Sequence, residues 1–180
     1  MNEISKNILL ISGSGRNIGK TSFIRKVIEC NASQKPVAVK ITPHFHEPTS
    51  GLLSISDTPN YRIFQEANRT SGKDSSLFLE AGAWKVFYIQ APDIYLKETF
   101  SLLVPQLLPD QPIVIESAAL RKFIEPGLYL FIQKEDQEVK PSALEMRKLA
   151  DCLVFSDGVQ FSRNPESITF NKIWEVHDNA

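Results

Sequence analysis

The sequence is short of cysteine, of net charge and of long apolar runs, and each shortage narrows the class of protein. Cys30 and Cys152 are its two cysteines, and each adjoins an apolar segment, so we expect buried free thiols unless the fold brings them together. A formal net charge of −1 and the lack of a basic amphipathic helix argue against binding to nucleic acid or to a membrane surface. The polar start of the chain carries no signal peptide, and no run is long enough for a transmembrane span, so we expect a cytoplasmic location.

The length and composition of the sequence are those of an ordinary globular domain. The chain has 180 residues, of which 42% are hydrophobic, and this is enough to bury a sizeable core. No internal repeat or low-complexity block divides it. We therefore expect a single domain covering residues 1–180.

The chain is organised around a motif near its start, NILLISGSGRNIGKTSFIR at 7–25. An apolar strand runs into a Gly-rich turn, and Gly19-Lys20-Thr21 then opens a segment whose apolar residues have helical spacing. This order of strand, loop and helix is typical of a phosphate-binding P-loop. Glycines let backbone N–H groups turn toward an anion, and the helix N-terminus adds unpaired donors and a positive dipole end.

The motif predicts a nucleoside triphosphate and Mg²⁺ as ligands. Lys20 is expected to reach the β- and γ-phosphates, and the Thr21 hydroxyl is expected to ligate Mg²⁺. The usual pattern has glycine where this chain has Ser14, so the loop consists of Gly13, five residues and then Gly-Lys-Thr. The predicted nucleotide-binding residues are Gly13, Ser14, Gly15, Arg16, Asn17, Ile18, Gly19, Lys20, Thr21 and Ser22.

Apolar runs that alternate with helical patterns predict the rest of the fold. Strands are expected at 37–41, 86–89, 113–116, 128–132, 151–155 and 168–174. Helices are expected to follow three N-capping side chains, those of Asp74, Asp93 and Ser142. Strand–helix–strand units give parallel strands with right-handed crossovers. The predicted fold is therefore α/β, a P-loop NTPase with three α/β/α layers and a mainly parallel sheet of roughly six to eight strands.

Two charged residues end predicted strands at the sheet edge where ligands bind in open α/β folds. Lys40 ends the second strand, and a catalytic role and a plain solvated lysine are equal alternatives for it. Glu116 follows the apolar run Ile113-Val114-Ile115, where an acid can hold the Mg²⁺ shell or orient an attacking water. We therefore predict Lys40 and Glu116 as catalytic residues, and Thr21 and Glu116 as metal ligands.

The stretch 42–73 predicts a long, mobile loop over the sheet edge, with one short strand near 61–65. His44 and His46 lie within it. A zinc site would need further ligands, and the remaining histidine is His177 near the end of the sequence, so zinc is not expected. A phosphate or substrate contact by His44 and a plain surface position remain equal alternatives.

Several segments together resemble MobB-type proteins, the P-loop component of molybdopterin-guanine dinucleotide biosynthesis. The shared features are the P-loop, a second strand ending in Lys40 with His44 after it, a strand ending in Glu116, and LADCLVFSDG at 149–158. The most specific feature is Gly-Lys-Asp-Ser at 72–75, which runs into Ala-Gly-Ala at 81–83. Ser14 and Ser117 stand where this family usually has glycine.

The resemblance implies a protein that binds GTP and hydrolyses it slowly at best. It also implies a partner nucleotidyltransferase, which attaches GMP to the molybdenum cofactor, and it suggests a homodimer. Any enzymatic activity is therefore expected to be that of a weak Mg²⁺-dependent GTPase or ATPase.

The loop spacing and Lys40 also resemble dethiobiotin synthetase, which uses the same class of fold to activate a carbamate with ATP. An ATP-dependent ligase or kinase is therefore the alternative enzyme, and a non-catalytic nucleotide-dependent adaptor is the third hypothesis. No Asn-Lys-x-Asp guanine signature is present, because Asn171-Lys172 is followed by Ile173 and Trp174. The sequence therefore leaves GTP and ATP open.

Overall fold

The computed structural model describes residues 5–135 and 137–177. Its strands are β1 (Ser5–Gly13), β2 (Val37–Thr42), β3 (Leu52–Asp57), β4 (Arg62–Glu66), β5 (Lys85–Gln90), β6 (Ile113–Glu116), β7 (Pro126–Lys134), β8 (Cys152–Ser156), β9 (Ile168–Asn171) and β10 (Ile173–Val176). Its α-helices are α1 (Lys20–Cys30), α2 (Asp74–Glu80), α3 (Leu96–Leu103) and α4 (Pro141–Lys148). Within the described ranges, no helix combines the length and the apolar character needed to cross a bilayer.

Eight strands form one sheet in the order β3-β4-β5-β2-β6-β1-β7-β8. The strands from β5 to β8 in this order are all parallel, whereas β4 runs antiparallel to β5 and β3 antiparallel to β4. Strands β9 and β10 form a separate antiparallel pair. The predicted α/β fold with a mainly parallel sheet is confirmed.

Side chains alternate across the sheet, so each strand supplies two cores. Leu9 and Ile11 face a core formed with α1, α2 and the β9–β10 pair, whereas the neighbouring β1 residues face α3 and α4. The same alternation determines on which face of the sheet the polar residues at the strand ends lie. Lys40 and Glu116 follow residues of the α3 and α4 core, so both lie on the α1 and α2 face.

Helix α1 forms because its apolar residues repeat on one side. Phe23, Ile24, Val27 and Ile28 are all buried against the sheet, as expected for an amphipathic helix. The helix begins after Gly19, whose φ of 83° is left-handed and suits a residue without Cβ. The predicted P-loop helix therefore starts immediately after the Gly-rich turn, as the motif requires.

The prediction of a long mobile loop at 42–73 is wrong for its central part, which is the β3–β4 hairpin. Of its two strands, the sequence predicts only β4. Strand β3 lies at the sheet edge, where Leu53 and Ile55 are exposed and the pairing with β4 is irregular between Ser54 and Ser56. Residues 53–56 of β3 do alternate between apolar and polar, but this alternation is too short, within a polar stretch that bears Pro and Ser, to distinguish a strand from a loop.

Three smaller predictions are also corrected. The segment 168–174 is a tight hairpin rather than one strand, because Lys172 adopts a left-handed φ of 67°. Helix α3 comes after a 3₁₀ turn at Asp93–Tyr95, so Asp93 does not cap it. Helix α4 begins at Pro141, with Lys140 at the N-cap position, because proline suits the first helical position; Ser142 is therefore inside the helix.

The cysteines differ from expectation as well. Both are free, but Cys30 is exposed and Cys152 is only half-buried. Cys30 is the last residue of α1 and falls outside that helix's buried stripe.

Candidate functional site

A cleft of about 850 Å³ opens at the sheet edge where the parallel strands end. The P-loop, the ends of β2 and β6, and the start of α2 form its walls. The predicted site residues that line it are Arg16, Asn17, Gly19, Lys20, Thr21, Ser22, Lys40 and Glu116. The fold therefore brings together the P-loop and the two charged strand ends, which are far apart in the sequence.

Three further predicted P-loop residues lie beneath the loop rather than on the cleft. Gly13 packs so closely on β7 that an added Cβ would lie 2.5 Å from the Ile132 carbonyl oxygen. The buried Ser14 donates its backbone N–H to the same carbonyl at 2.9 Å, and its hydroxyl makes no hydrogen bond within the described chain. Ile18 belongs to the core around α1. These three residues fix the loop shape.

Lys20 reaches back over the loop and donates from Nζ to the Gly15 carbonyl oxygen. Burial lowers the pKa of the Lys20 ammonium below its ordinary value, and the positive charge of Lys40 adds to this, although the charges of Glu116 and Asp74 oppose it. An ammonium that has lost hydration gains strongly from a negatively charged ligand. Lys20 is therefore suited to bind an anion in the cleft.

Lys40 holds two carboxylates together at the centre of the cleft. Its Nζ lies 2.7 Å from Glu116 Oε2 and 2.9 Å from Asp74 Oδ2. Lys40 and Glu116 are also direct neighbours in the pairing of β2 with β6. Burial lowers the pKa of Lys40, but the charges of Glu116 and Asp74 outweigh it, so the pKa lies above its ordinary value. Lys40 therefore stays protonated.

Asp74 joins the P-loop to this cluster. The Thr21 hydroxyl donates to Asp74 Oδ1 at 3.0 Å, while the other carboxylate oxygen receives Lys40. Burial raises the pKa of Asp74, but the charge and hydrogen bond of Lys40 and the hydrogen bond of Thr21 outweigh it, so the pKa falls below its ordinary value. Asp74 is therefore an ionised acid beside the P-loop threonine.

Asp74 is the site residue that the sequence reasoning missed. The sequence pattern suggests a helix N-cap, but Lys73 occupies that position and α2 has no side-chain cap. The carboxylate instead serves the cleft, where an acid in the first helical turn is also favoured by the helix dipole. The Gly-Lys-Asp-Ser segment distinguishes Asp74 in the sequence, but the segment alone does not show that Asp74 contacts Thr21.

The oxygen atoms around Thr21 suit a hard divalent cation. Two carboxylates, those of Asp74 and Glu116, and the hydroxyl of Thr21 are oxygen ligands of the kind that Mg²⁺ takes in proteins, together with water and phosphate. The arrangement can hold such a cation between the P-loop and the end of β6. This combination includes two carboxylates, and the described residues contain no group of three or more His, Cys, Asp or Glu side chains that could hold a metal ion.

Comparison with known proteins gives a likeness of fold. No protein-family model matches the sequence, and no curated protein sequence matches it. Among solved structures, the chain is similar to LpxK from Aquifex aeolicus, whose crystal structure contains ATP; the TM-score is 0.53 with 16% sequence identity. The match covers 86% of this chain and 48% of LpxK, so the chain spans about half the length of that protein.

This likeness supports the predicted P-loop NTPase type of α/β/α fold. At this level of identity it carries no information about the reaction. It does not extend to MobB-type proteins in particular.

Proposed function

We propose that the chain binds a nucleoside triphosphate together with Mg²⁺ in the cleft beside the P-loop. The observation that carries this proposal is the contact between Thr21 and Asp74, next to Lys20 and the Lys40–Glu116 pair. A loop that binds phosphate, a lysine without an ion pair in the described chain and a set of oxygen ligands are the parts that a Mg²⁺–triphosphate requires.

Each side chain has a role in this proposal. Backbone amides of the loop and Lys20 would hold the phosphates, while Thr21, Asp74 and Glu116 would hold the metal. Bound there, Mg²⁺ would neutralise negative charge on the β- and γ-phosphates. Lys40 lies where it can balance the charge of the terminal phosphate, and Glu116 can orient a water or accept its proton.

The finer proposal comes from the sequence resemblance. We propose a cytoplasmic, single-domain protein that binds GTP, turns it over weakly and serves a nucleotidyltransferase of molybdenum cofactor biosynthesis, with a homodimer as its assembly. The supporting observations are the Gly-Lys-Asp-Ser segment, whose Asp74 contacts the P-loop threonine, and the strand ending in Glu116. An ATP-dependent kinase or ligase is the second candidate, because the cleft extends beyond the P-loop toward His44 and His46.

Calorimetric titration with ATP, GTP and the two diphosphates, each with and without Mg²⁺, tests the proposal. Binding of a triphosphate that strengthens with Mg²⁺ is the expected result. Preference for GTP favours the MobB-like role, and preference for ATP favours a kinase or ligase. If no triphosphate binds to the folded protein at millimolar concentration, the proposed function is wrong.

A further inference from the structure

The far wall of the cleft carries two histidines that the nucleotide proposal does not use. His44 and His46 lie after β2 and both line the cleft, together with Thr42, Tyr88 and Lys73. We propose that this wall binds an anionic group, a phosphate or a carboxylate, of a second substrate beside the nucleotide. This inference rests on the proposed nucleotide site and specifies what lies next to it.

The histidine segment is held in place through its backbone. Gln90 at the end of β5 is completely buried and uses both ends of its amide on one residue: it accepts from the His46 N–H at 3.2 Å and donates to the His46 carbonyl at 3.1 Å. The Thr42 hydroxyl oxygen accepts from the His44 N–H at 3.3 Å. Burial removes water from the Gln90 carboxamide, so its hydrogen bonds to the His46 backbone are needed and hold that segment in one position.

The residue between the histidines is anchored as well. The Arg62 guanidinium lies over the Phe45 ring, 5.6 Å from its centroid, and Arg62 is itself held by Asp57 at 3.0 Å. Such cation–π contacts favour one ring position. The β3–β4 hairpin thus holds Phe45 away from the cleft while its two neighbours line it.

The imidazoles themselves have no structural task in the described chain. Their ring centroids are 6.3 Å apart with planes at 65°, and the nitrogens of neither ring make a hydrogen bond to the described residues. His177 is the contrast, because its Nε2 lies 2.8 Å from the Thr169 hydroxyl. Both histidines are exposed at the cleft, so their ring N–H groups are free to donate to a ligand that enters it.

The position of the histidine wall relative to Lys40 indicates which part of a bound nucleotide it would adjoin. Thr42 comes two residues after Lys40 on β2, and Tyr88 is the direct neighbour of Lys40 in the pairing of β2 with β5. The histidine wall therefore adjoins the Lys40 cluster on the side opposite the P-loop. A molecule bound there would meet the terminal phosphate of a nucleotide bound by Lys20.

The hydrogen-bond donors on this wall favour an anion. The Lys73 ammonium has no ion pair within the described residues, and it adds positive charge to the donor N–H groups of the two imidazoles. Glu47 also lines the cleft and is the opposing negative group. Because Lys73 and Glu47 offset each other in formal charge, the preference for the phosphate or carboxylate of a small substrate comes from the imidazole N–H donors.

Histidine-selective NMR tests this subsite, because the sequence has only three histidines. Protein labelled with ¹³C-histidine is first saturated with a Mg²⁺-bound, non-hydrolysable triphosphate, which fills the P-loop. Inorganic phosphate is then titrated into one sample and acetate into another. The variants His44→Gln and His46→Gln assign the signals, and His177 is the internal control.

The expected result is a saturable shift of the His44 and His46 signals, with the His177 signal unchanged. Response to phosphate alone assigns a phosphorylated substrate, and response to acetate alone assigns a carboxylate; either supports the proposal. If neither anion moves the two signals, or if all three histidines drift together, the proposal is overturned. Failure of the analogue to bind would overturn the proposed function and this inference together, whereas a silent histidine wall beside a bound analogue overturns this inference alone.

Discussion

At the residue scale, one cation and two anions form a cluster within the cleft. Lys40 is the partner of both Asp74 and Glu116, and neither carboxylate has another ion pair with a described residue. The Glu116 side chain is buried, and a buried carboxylate without a cation is costly, so the cluster is weakened by removal of Lys40. In the proposed function, the same closeness would let the acids exchange a lysine contact for a metal ion.

Glu116→Gln tests whether Glu116 acts on the reaction. Gln keeps the size and one acceptor, so strand β6 and the nucleotide site should survive with affinity within about tenfold. Hydrolysis should fall by about 10²-fold or more, the usual scale for losing a positioned acid–base group. Phosphate release at saturating Mg²⁺ and triphosphate measures this, with the exposed Glu80→Gln as control. Equal rates well above background in wild type and Glu116→Gln would remove Glu116 from the mechanism.

Asp74→Asn tests the charge of the cluster through the pH dependence of stability. Because the folded state lowers the pKa of Asp74, its stabilisation is present above the unfolded value of about 3.9 and is lost as the pH falls through the folded value. The unfolding free energies of wild type and Asp74→Asn should therefore differ most near neutral pH and converge in acid. Lys40 stays charged throughout this range, because its pKa is raised.

Urea unfolding at several pH values between neutral and acid measures that difference. Asp93→Asn is the matched control, since Asp93 forms an exposed ion pair with Lys122 at 3.2 Å and such pairs contribute only about 0–1 kcal/mol. A gap between wild type and Asp74→Asn that stays constant with pH would contradict the assigned role of the carboxylate.

The sequence could predict those residues whose position depends on a local pattern. Lys20 and Thr21 come from the motif, and Lys40 and Glu116 come from their place at strand ends. Asp74 could not be assigned, because its meeting with Thr21 depends on how the β3–β4 hairpin leads the chain back to the P-loop. Residues 42–73 have the pattern of a loop, so the sequence offered no geometry for the start of α2.

At the element scale, the P-loop is shaped by its contact with β7. Gly13 lies so close that a Cβ would be 2.5 Å from both the Ile132 carbonyl oxygen and Ile18 Cδ1. At Gly15, by contrast, no atom of the described residues lies within 4 Å of an added Cβ. The two glycines are therefore a matched pair within one loop, one constrained and one free.

Gly13→Ala should separate the loop from β7 and lower the free energy of unfolding by about 1–3 kcal/mol, the usual cost of forced overpacking. Gly15→Ala should stay within about 0.5 kcal/mol of wild type, as substitutions in open space do. Chemical denaturation of both variants measures the contrast. Equal stabilities of the two variants would contradict the close packing of the P-loop on β7.

The core elements were predictable and the edge elements were not, for one physical reason. The strands β1, β2, β5, β6 and β7 are buried and form continuous apolar runs, as strands covered on both faces do. The edge strand β3 and the β9–β10 hairpin depend on tertiary contacts; for example, Asn31 accepts from the Phe170 N–H at 2.9 Å and fixes β9 on α1. Such contacts leave no local pattern in the sequence.

At the scale of the whole molecule, the strand order is what assembles the cleft. Strand β1 lies between β6 and β7, and β2 lies beyond β6, so Lys40 and Glu116 flank one side of the P-loop. The hairpin and α2 then close that side with Asp74. A ligand that contacts the P-loop, β2, β6 and α2 together should stabilise the folded state as a whole.

This stabilisation should appear in thermal unfolding. At about one hundred times its dissociation constant, a Mg²⁺–triphosphate should add about 2.7 kcal/mol. For a chain of this size that corresponds to a rise in Tm of roughly 5–10 °C. Differential scanning calorimetry with a nucleotide series measures it. A Tm that is unchanged by a nucleotide known to bind would mean that the ligand does not favour the folded state.

The central claim is that Lys20 and its loop bind the phosphates, and calorimetric titration of Lys20→Ala with a Mg²⁺–triphosphate tests it most directly. Lys26→Ala on the exposed side of α1 is the matched control, because the Lys26 ion pairs within the described residues are with the surface acids Glu29 and Glu166. We predict that Lys20→Ala loses about 2–5 kcal/mol of binding free energy, the range for truncating one partner of a buried charge pair, while Lys26→Ala binds like wild type. A folded Lys20→Ala protein with undiminished triphosphate affinity would contradict the claim.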